Sequence, residues 1–300
     1  MSTAAGRSAW VLDVASERRV ARWSVRLARL CRRQPLGLVG AMLVLALIAV
    51  AALAPTLAPY DYAETRVLER LQGPSQRHLL GTDQFGRDVF SRIIYGTRPT
   101  VYISFGATLL TLVTSTVMGI VSAYYLGWFD TVLQRLIDIW LSFPLIILAL
   151  VTISVFGGGV VQLIMVLGLL TAAGNVRVIR SKALIVIQQP FIEAARAVGG
   201  SDLRIVISHI LPNVTPTAIV LSAVRLGAVV ITEATLSFLG FGVPPPFPTW
   251  GQMLQDSLAK ASSHPWLAFW PGLAIALTVF GYNMLGDALR DELDPRLRRT

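Results

Sequence analysis

Four charged residues of alternating sign lie close together in one polar segment of the chain. They are Asp83, Arg87, Asp88 and Arg92. Carboxylates grouped in this way could bind a divalent cation or act as general acid and base. However, no histidine and no second acidic cluster accompany them at the spacing that metal ligands need. The alternating charges instead favour an exposed helix whose side chains pair with one another, and hence a structural or subunit-docking role.

The common signatures of enzyme chemistry are missing from the sequence. It contains no GxxxxGK[ST] phosphate-binding loop and no GxSxG, HExxH or CxxC motif. Its three histidines, His78, His209 and His264, are widely separated, and the single cysteine, Cys31, excludes an internal disulfide. We therefore expect no catalytic residue, no metal and no cofactor on this chain, so that any ATP would be bound by another subunit.

Two further charged residues, Arg225 and Glu233, lie inside an otherwise apolar run. In one continuous helix they would be about 12 Å apart along the axis and near one face. Ionisable groups at membrane depth cost about 2.5–3.5 kcal/mol and usually face a cavity or a partner. We hypothesise that one or both line a translocation path or its gate. The alternatives are an interhelical pair, for instance with Asp138, or a Glu233 side chain that reaches the outer interface.

These charges are set in a strongly apolar chain. Of its 300 residues, 54% are hydrophobic and only 14% are charged, and the net charge is +9. This composition excludes an ordinary soluble globular domain. Because the cations flank long uncharged runs, they indicate a positive-inside membrane topology and not nucleic-acid binding.

Six apolar runs are long enough to cross the roughly 30 Å hydrocarbon core of a bilayer. The expected spans are 36–54, 100–123, two spans within 139–176, 214–236 and 261–286. Asp130 and Arg135 mark a short turn before the third span, Pro144 is expected to kink it, and the glycines at 157–159 end it. Tryptophans 250, 266 and 270 suit the aromatic belt at a membrane surface. The sequence thus predicts an all-α integral membrane protein with six transmembrane helices.

The distribution of lysine and arginine predicts the orientation. With the N-terminus inside, the cytoplasmic segments 1–36, 124–135, 174–212 and 287–300 hold eighteen of these residues, and the external segments 59–98, 156–160 and 241–268 hold seven. Both termini are therefore expected in the cytoplasm. The arginine-rich segment 1–35 predicts either an amphipathic helix on the membrane surface or a basic tail that sets topology.

A polar stretch at 188–213, QQPFIEAARAVGGSDLRIVISHILPN, separates the fourth span from the fifth. We expect a helix over 191–198 and a second over 203–210, joined by a glycine turn. The residues that indicate these boundaries are Pro190 in a first turn, Gly199 and Gly200 as a stop, Ser201 or Asp202 as a cap, and Pro212 as the end. Such an ordered loop is suited to holding a partner.

Four motifs in the sequence resemble one family. Glu193-Ala194-Ala195 with Gly199 and the later Leu-Pro pair is similar to the EAA loop of permease subunits of ABC importers, although His209 replaces the usual isoleucine. The segment 78–98 resembles HxLGTDxxGRDxxSRxxYGxR of the C-type permeases of dipeptide and oligopeptide importers. The Ser-Phe-Pro at 142–144 and the run 236–251, similar to LSFLGxGxxPPxPxWG, follow in the family's order.

The resemblance implies a type I ABC importer (MetI-like) transmembrane fold and a permease that moves di- or oligopeptides across the bacterial plasma membrane by alternating access. Related members carry nickel or glutathione, which stand as alternative solutes. In the family, the loop contributes a helix that docks on a cytoplasmic ATPase. This likeness assigns an ATPase-coupling interface to Glu193, Ala194, Ala195, Arg196 and Gly199.

The resemblance also implies partners and boundaries. The expected partners are a homologous B-type permease, two cytoplasmic ATPases, an extracytoplasmic substrate-binding protein and the surrounding lipids. The expected segments are a cytoplasmic N-terminal segment 1–35, a first helix with an external loop 36–98, a permease domain 99–289 containing the coupling loop 188–213, and a cytoplasmic tail 290–300. A secondary transporter that needs no ATPase would instead predict inverted repeats and coupling charges within the membrane. A purely structural anchor would leave the ordered loop unexplained.

Overall fold

The computed structural model describes residues 35–293, so the predictions for residues 1–34 and 294–300 lie outside the described residues. Within the described range, five helices are long and apolar enough to cross a membrane, and one bent pair of helices passes the same test together. The predicted all-α membrane fold is therefore confirmed, with up to six spans. No β-strand is assigned between residues 35 and 293, where a single isolated bridge joins Thr82 to Asp88.

Ten helices are named here in chain order, apart from single turns at Ala54–Leu57, Val67–Glu69 and Leu258–Lys260. They are α1 (Pro35–Ala52), α2 (Val89–Tyr125), α3 (Gly127–Leu141), α4 (Leu145–Phe156), α5 (Val160–Ile187), α6 (Pro190–Ala197), α7 (Asp202–Val224), α8 (Leu226–Phe238), α9 (Trp250–Ser257) and α10 (Trp266–Leu293). α2 begins at Val89 and not near residue 100, because Asp88 caps it by accepting a hydrogen bond from the Ser91 backbone N–H at 2.8 Å.

Small residues bring the long helices into close contact. A Cβ atom on Gly168 of α5 would lie 2.7 Å from the Leu110 side chain of α2, and one on Gly119 of α2 would lie 2.8 Å from Ile179 of α5. Gly40 of α1 approaches the α10 backbone in the same way. Without a hydrophobic driving force inside lipid, such close approach supplies the dispersion energy that holds helices together.

The third span is broken at Pro144 and not merely kinked. α3 and α4 meet at 94°, because Pro144 cannot donate a backbone hydrogen bond and disfavours helical geometry in the residue before it. The predicted short turn near Asp130 is in fact α3. The Arg180 guanidinium of α5 donates to the Asp130 carboxylate at 2.7 Å and fastens α3 to α5.

The fifth span differs from its prediction at two places, Pro212 and Arg225. Pro212 does not end a helix, because a π-helical turn over Val206–Ile210 widens the backbone and α7 continues to Val224. The helix is interrupted further on at Arg225, which ends α7 and precedes α8. The single span predicted over 214–236 is therefore two helical segments.

Candidate functional site

The loop at 188–213 folds as a short helix, a glycine turn and the start of α7. Pro190 occupies the first turn of α6, as predicted. Gly199 then takes a left-handed conformation with φ of +79°, which a residue with a Cβ atom adopts only with strain. Ser201 precedes the first residue of α7, although its side chain makes no capping hydrogen bond. The first helix and the glycine turn are thus confirmed, whereas the second helix does not end near residue 210 as predicted but continues as α7.

α6 is attached to the bundle by a single buried side chain. Ile192 is fully buried in an apolar cluster with Ile205 and Ile210 of α7. The Arg196 guanidinium lies over the Tyr124 ring, 5.6 Å from its centroid, and the Tyr124 hydroxyl donates to Asp202 at 2.6 Å. The apolar contacts of Ile192 and the half-buried Ala195, together with one polar network, therefore fix the direction of a helix that otherwise faces outward.

The outward face of this loop contains the predicted coupling residues. Glu193, Ala194, Arg196 and Gly199 are exposed, and Ala195 is half-buried. Between α6 and the start of α7 is an open groove of about 420 Å³. Residues that line it are Phe191, Ala194, Ala195, Val198, Gly199, Gly200, Arg204, Ile205 and His209. Val198, 86% exposed, adds an uncovered apolar side chain.

Arg225 and Glu233 are not paired with each other or with Asp138. Among the described residues, Asp138 forms ion pairs with Arg135 and Arg177, so the interhelical alternative is wrong for this partner. Glu233 is 2% exposed and accepts a hydrogen bond from the Ser237 hydroxyl at 2.7 Å, so it does not extend to an outer interface. The exposed Arg225 side chain lies beside Gly174 of α5.

The charged segment at 83–92 pairs internally, as predicted, but it is buried and mostly not helical. Arg87 and Arg92 both face the Asp83 carboxylate, at 2.6 and 3.8 Å, and Asp83 and Arg92 are buried. The expected exposed helix is wrong, because residues 82–87 form a turn that folds under α9, where Arg87 reaches Asp256 at 3.5 Å. No group of metal-binding side chains occurs in the part of the chain that the structure describes.

His78 is a member of this cluster that sequence reasoning missed. Its Nδ1 lies 2.9 Å from Asp88 and its Nε2 lies 3.3 Å from Glu69. Desolvation alone would raise the pKa of the Glu69 carboxyl, but the hydrogen bond with His78 and the charges of Arg77 and Arg66 lower it below its ordinary value. Ten residues separate His78 from Asp88, so only the folded turn brings them together.

α9, which the sequence did not predict, closes this end of the bundle. We call residues 58–88 and 239–265 the cap. Trp250 at the start of α9 is 2% exposed, and its Nε1 donates to the Ile93 carbonyl at 3.1 Å, so its predicted place in an aromatic belt is wrong. Burial raises the pKa of the Asp256 carboxyl on the same helix despite the nearby Arg87 and Arg92. The cap and the loop at 188–213 lie at opposite ends of α5.

Long apolar helices, joined at one end by an ordered loop and closed at the other by a cap, define a multi-pass helical membrane protein. Sequence comparison gives the particular family. The profile of the binding-protein-dependent transport system inner membrane component matches residues 115–299, and that of the N-terminal TM domain of oligopeptide transport permease C matches residues 23–74.

Relatives match over most of their length. The dipeptide transport system permease protein DppC of Alkalihalophilus pseudofirmus is 39% identical over 267 residues, covering 89% of this chain and 88% of the relative. The glutathione transport system permease protein GsiD of Pectobacterium atrosepticum is 39% identical over 267 residues, with 89% of each chain covered. The chain therefore belongs to the family of binding-protein-dependent transport system inner membrane components, and it is a permease subunit of an ABC importer.

Proposed function

We propose that this permease moves di- or oligopeptides across the bacterial plasma membrane by alternating access, and that the tripeptide glutathione is the second candidate solute. One relative is named for dipeptide transport and another for glutathione transport, at the same 39% identity. Both solutes are short peptides, so one path could accept the amide backbone that they share.

The loop at 188–213 is the proposed contact with the ATPase. The observation that carries this proposal is the exposed face of α6, where one buried residue, Ile192, supports a row of outward side chains beside an open groove. An ATPase surface would cover Glu193, Ala194 and Val198 and fill the groove. When the ATPase pair closes, the movement of α6 would be transmitted through Ile192 to α7.

The remaining parts of the importer are proposed as partner subunits. A homologous B-type permease would cover the apolar sides of the bundle, two cytoplasmic ATPases would bind the ATP, and an extracytoplasmic binding protein would deliver solute to the cap. With both termini in the cytoplasm, the loop faces the compartment that contains ATP. This chain itself would bind no cofactor and catalyse no reaction.

Glu233 and Arg225 are the proposed polar groups of the path. Glu233 is a buried acid with one hydrogen bond, and Arg225 is an exposed base at a break between two helical segments. A helix break within a span is a place where the backbone can bend. Uptake measured for Arg225→Ala and Glu233→Ala in assembled complexes tests this role, and unchanged affinity and turnover in both would contradict it.

The test of function combines association with transport. The permease is co-expressed with its partner subunits, purified in a gentle detergent, and probed for a bound P-loop ATPase, while cells are assayed for uptake of alanyl-alanine and of glutathione. We expect ATPase recovery and uptake of at least one peptide, both lost in Gly199→Asp. If the wild-type permease is purified without a bound ATPase, a secondary transporter would be favoured.

A further inference from the structure

The two halves of the third span, α3 and α4, meet at an exposed break inside the membrane. With 15 and 12 residues, they are about 22 and 18 Å long, so neither helix alone crosses the roughly 30 Å hydrocarbon core. Together they do cross it, so their junction lies at least about 8 Å from either membrane surface. We call residues 142–144, at this junction, the elbow.

Contacts at the far ends of α3 and α4 show that the pair runs from one side of the bundle to the other. Asp130, in the first turn of α3, accepts a hydrogen bond from Arg180 near the loop end of α5. Gly158, which follows α4, lies so close to the Gly242 carbonyl oxygen of the cap that a Cβ atom would not fit. The elbow therefore lies between the loop end and the cap end.

The elbow interrupts the backbone hydrogen bonds of the span. The last bond of α3 is donated by the Ser142 N–H to the Asp138 carbonyl at 3.1 Å, and the first bond of α4 is donated by the Leu148 N–H to the Pro144 carbonyl at 3.2 Å. Between these positions, the N–H groups of residues 143 and 145–147 have no backbone partner among the described residues. Residues 141–144 are exposed, so neighbouring helices of this chain do not cover the break.

Lipid cannot cover such a break. Hydrocarbon chains offer no hydrogen bonds, and irregular backbone at membrane depth is tolerated only where protein or water faces it. A charged pair beside the elbow leads to the same conclusion. Asp138, one helical turn before the elbow, is half-exposed and forms an ion pair with the half-exposed Arg177 of α5. Ionisable side chains inside a span face a partner or a cavity and not lipid.

The surface along α3 and α4 is too apolar to face water alone. At about 200 Å² for a whole aromatic side chain, the exposed fractions of Trp140, Phe143 and Phe156, which are 42%, 54% and 71%, correspond to about 330 Å². Six exposed aliphatic side chains enlarge this surface toward the roughly 800 Å² that each partner buries in a stable interface. They are Leu136, Ile139, Leu141, Ile147, Val151 and Val155.

We infer that the elbow and the apolar surface beside it contact the second permease subunit. The inference rests on the proposed pairing with such a subunit and names the surface that the pairing uses. An apolar helix of the partner covers the exposed side chains, and an oxygen acceptor on that helix, such as a hydroxyl or a carbonyl, faces the free N–H groups of the elbow. Aromatic side chains such as Trp140 and Phe143 are typical of the core of an interface.

α1 provides the comparison, because it can face lipid directly. It is one continuous helix of 18 uncharged residues, about 27 Å long, and most of its side chains are exposed. It packs against α10 and α2, whereas α3 and α4 pack mainly against α5. Leu45, near the middle of α1, is an exposed residue without a backbone break beside it.

Photocrosslinking in the complete importer tests which molecule lies at the elbow. The photoreactive amino acid p-benzoyl-phenylalanine replaces Phe143 in one variant and Leu45 in the control, and membranes are illuminated before denaturing electrophoresis and mass spectrometry. We expect position 143 to cross-link to the second permease subunit and position 45 to do so at least several-fold less. Equal cross-linking from both positions, or a cross-link from position 143 to another copy of this chain, would overturn the inference.

Spin labels at the same positions distinguish protein from lipid and water. Phe143→Cys and Leu45→Cys are made in a Cys31→Ser background, which has no other cysteine, and the labelled importer is placed in lipid nanodiscs. Oxygen reports exposure to lipid, and a water-soluble nickel chelate reports exposure to water. We expect low accessibility to both reagents at position 143 and high oxygen accessibility at position 45.

The remaining outcomes separate this inference from the proposed function. High oxygen accessibility at position 143 would mean that lipid covers the elbow, and high nickel accessibility would mean that a water-filled path does; either result overturns the inference. A purified complex that contains a second permease without a cross-link from position 143 refutes the inference alone. A purified complex without any second permease refutes the proposed set of partners as well.

Discussion

The loop at 188–213 and the cap differ in how much of their side-chain surface is buried by this chain itself. In the loop, Ile192 is the one fully buried residue of α6, and Val198 is left uncovered. In the cap, the buried Asp83 carboxylate faces the buried Arg92 of α2, and Trp250 is enclosed. The difference indicates that the loop is built to be completed by another protein, whereas most of the cap is completed by this chain alone.

Close backbone contacts pack the cap tightly against α8. A Cβ atom on Gly251 would lie 2.2 Å from the Ala234 carbonyl oxygen, and one on Gly242 would lie 2.2 Å from the Ser237 hydroxyl. By contrast, nothing lies within 4 Å of a Cβ atom placed on Gly199 in the loop. The cap is thus packed against a helix of this chain, whereas the glycine turn of the loop leaves space that a partner surface can occupy. The following variants test this contrast.

The largest effect is expected for Trp250→Ala in the cap. Removing this enclosed side chain leaves a cavity and removes its hydrogen bond to the Ile93 carbonyl, which should cost about 3–5 kcal/mol of unfolding free energy. The control is Trp128→Ala on α3, where the side chain is 78% exposed and little packing is lost. Thermal unfolding in detergent measures both. Equal melting temperatures for the two variants would contradict an enclosed Trp250.

A pair of substitutions in the loop at 188–213 separates the attachment of α6 from docking of the ATPase. Ile192→Ala should cost about 2–5 kcal/mol, because it removes the buried contact between α6 and α7. Val198→Ala should leave unfolding unchanged, because its side chain is exposed, but should weaken ATPase recovery severalfold. Unfolding curves and quantitative pull-downs are compared for each variant. If the Val198→Ala protein binds the ATPase as well as the wild type does, Val198 is not part of the interface.

A smaller effect is expected at the glycine turn. Gly199 needs a left-handed conformation but has space around it, so only backbone strain should matter. Gly199→Val should cost about 1–2 kcal/mol, whereas Gly199→Asn should cost less because asparagine tolerates this region. Unfolding measurements rank the two variants. If both variants were equally unstable, a steric clash of the new side chain, and not backbone strain, would be the cause.

The smallest effect is the pH dependence of the cap. The pKa of Glu69 is lowered in the fold, so its contribution to stability is present above the ordinary glutamate value of about 4.3 and is lost as pH falls through the lowered pKa. Glu69→Gln should flatten this acid-side loss. Glu64→Gln, which removes only a contact with Arg66, should retain it because Glu69 is intact. Unfolding between pH 3 and pH 7, a range chosen to bracket about 4.3, measures the difference.

Local patterns in the sequence determined much of the loop. Pro190 and Gly199 correctly marked the start and end of α6, because their backbone preferences act within one turn of helix. The π-helical turn around residues 206–210 was missed, because the sequence at Pro212 does not tell whether the chain stops or widens. Packing of Ile210 against the bundle favours continuation of the helix α7 past this residue.

The charged segment of the cap shows where sequence reasoning reached its limit. Alternating signs correctly predicted that the segment pairs its own charges, as Asp83 and Arg87 do, although a turn and not a helix brings these two side chains together. The burial of Arg92 and the approach of Asp256 could not be predicted, because they depend on residues far apart in the chain. The same reason applies to Trp250, whose hydrogen bond to Ile93 spans 157 residues.

By itself, the sequence determined the class, the approximate spans and the position of the loop between two of them. It could do so because a bilayer imposes a minimum length of apolar residues on every span. Only the tertiary structure decided that the third span breaks at Pro144, that α9 closes the cap, and that Glu233 lies behind a cavity lined by Ser237 and Gln252. These features arise from contacts between helices, and the energy of such contacts depends on residues from segments that are far apart in the chain.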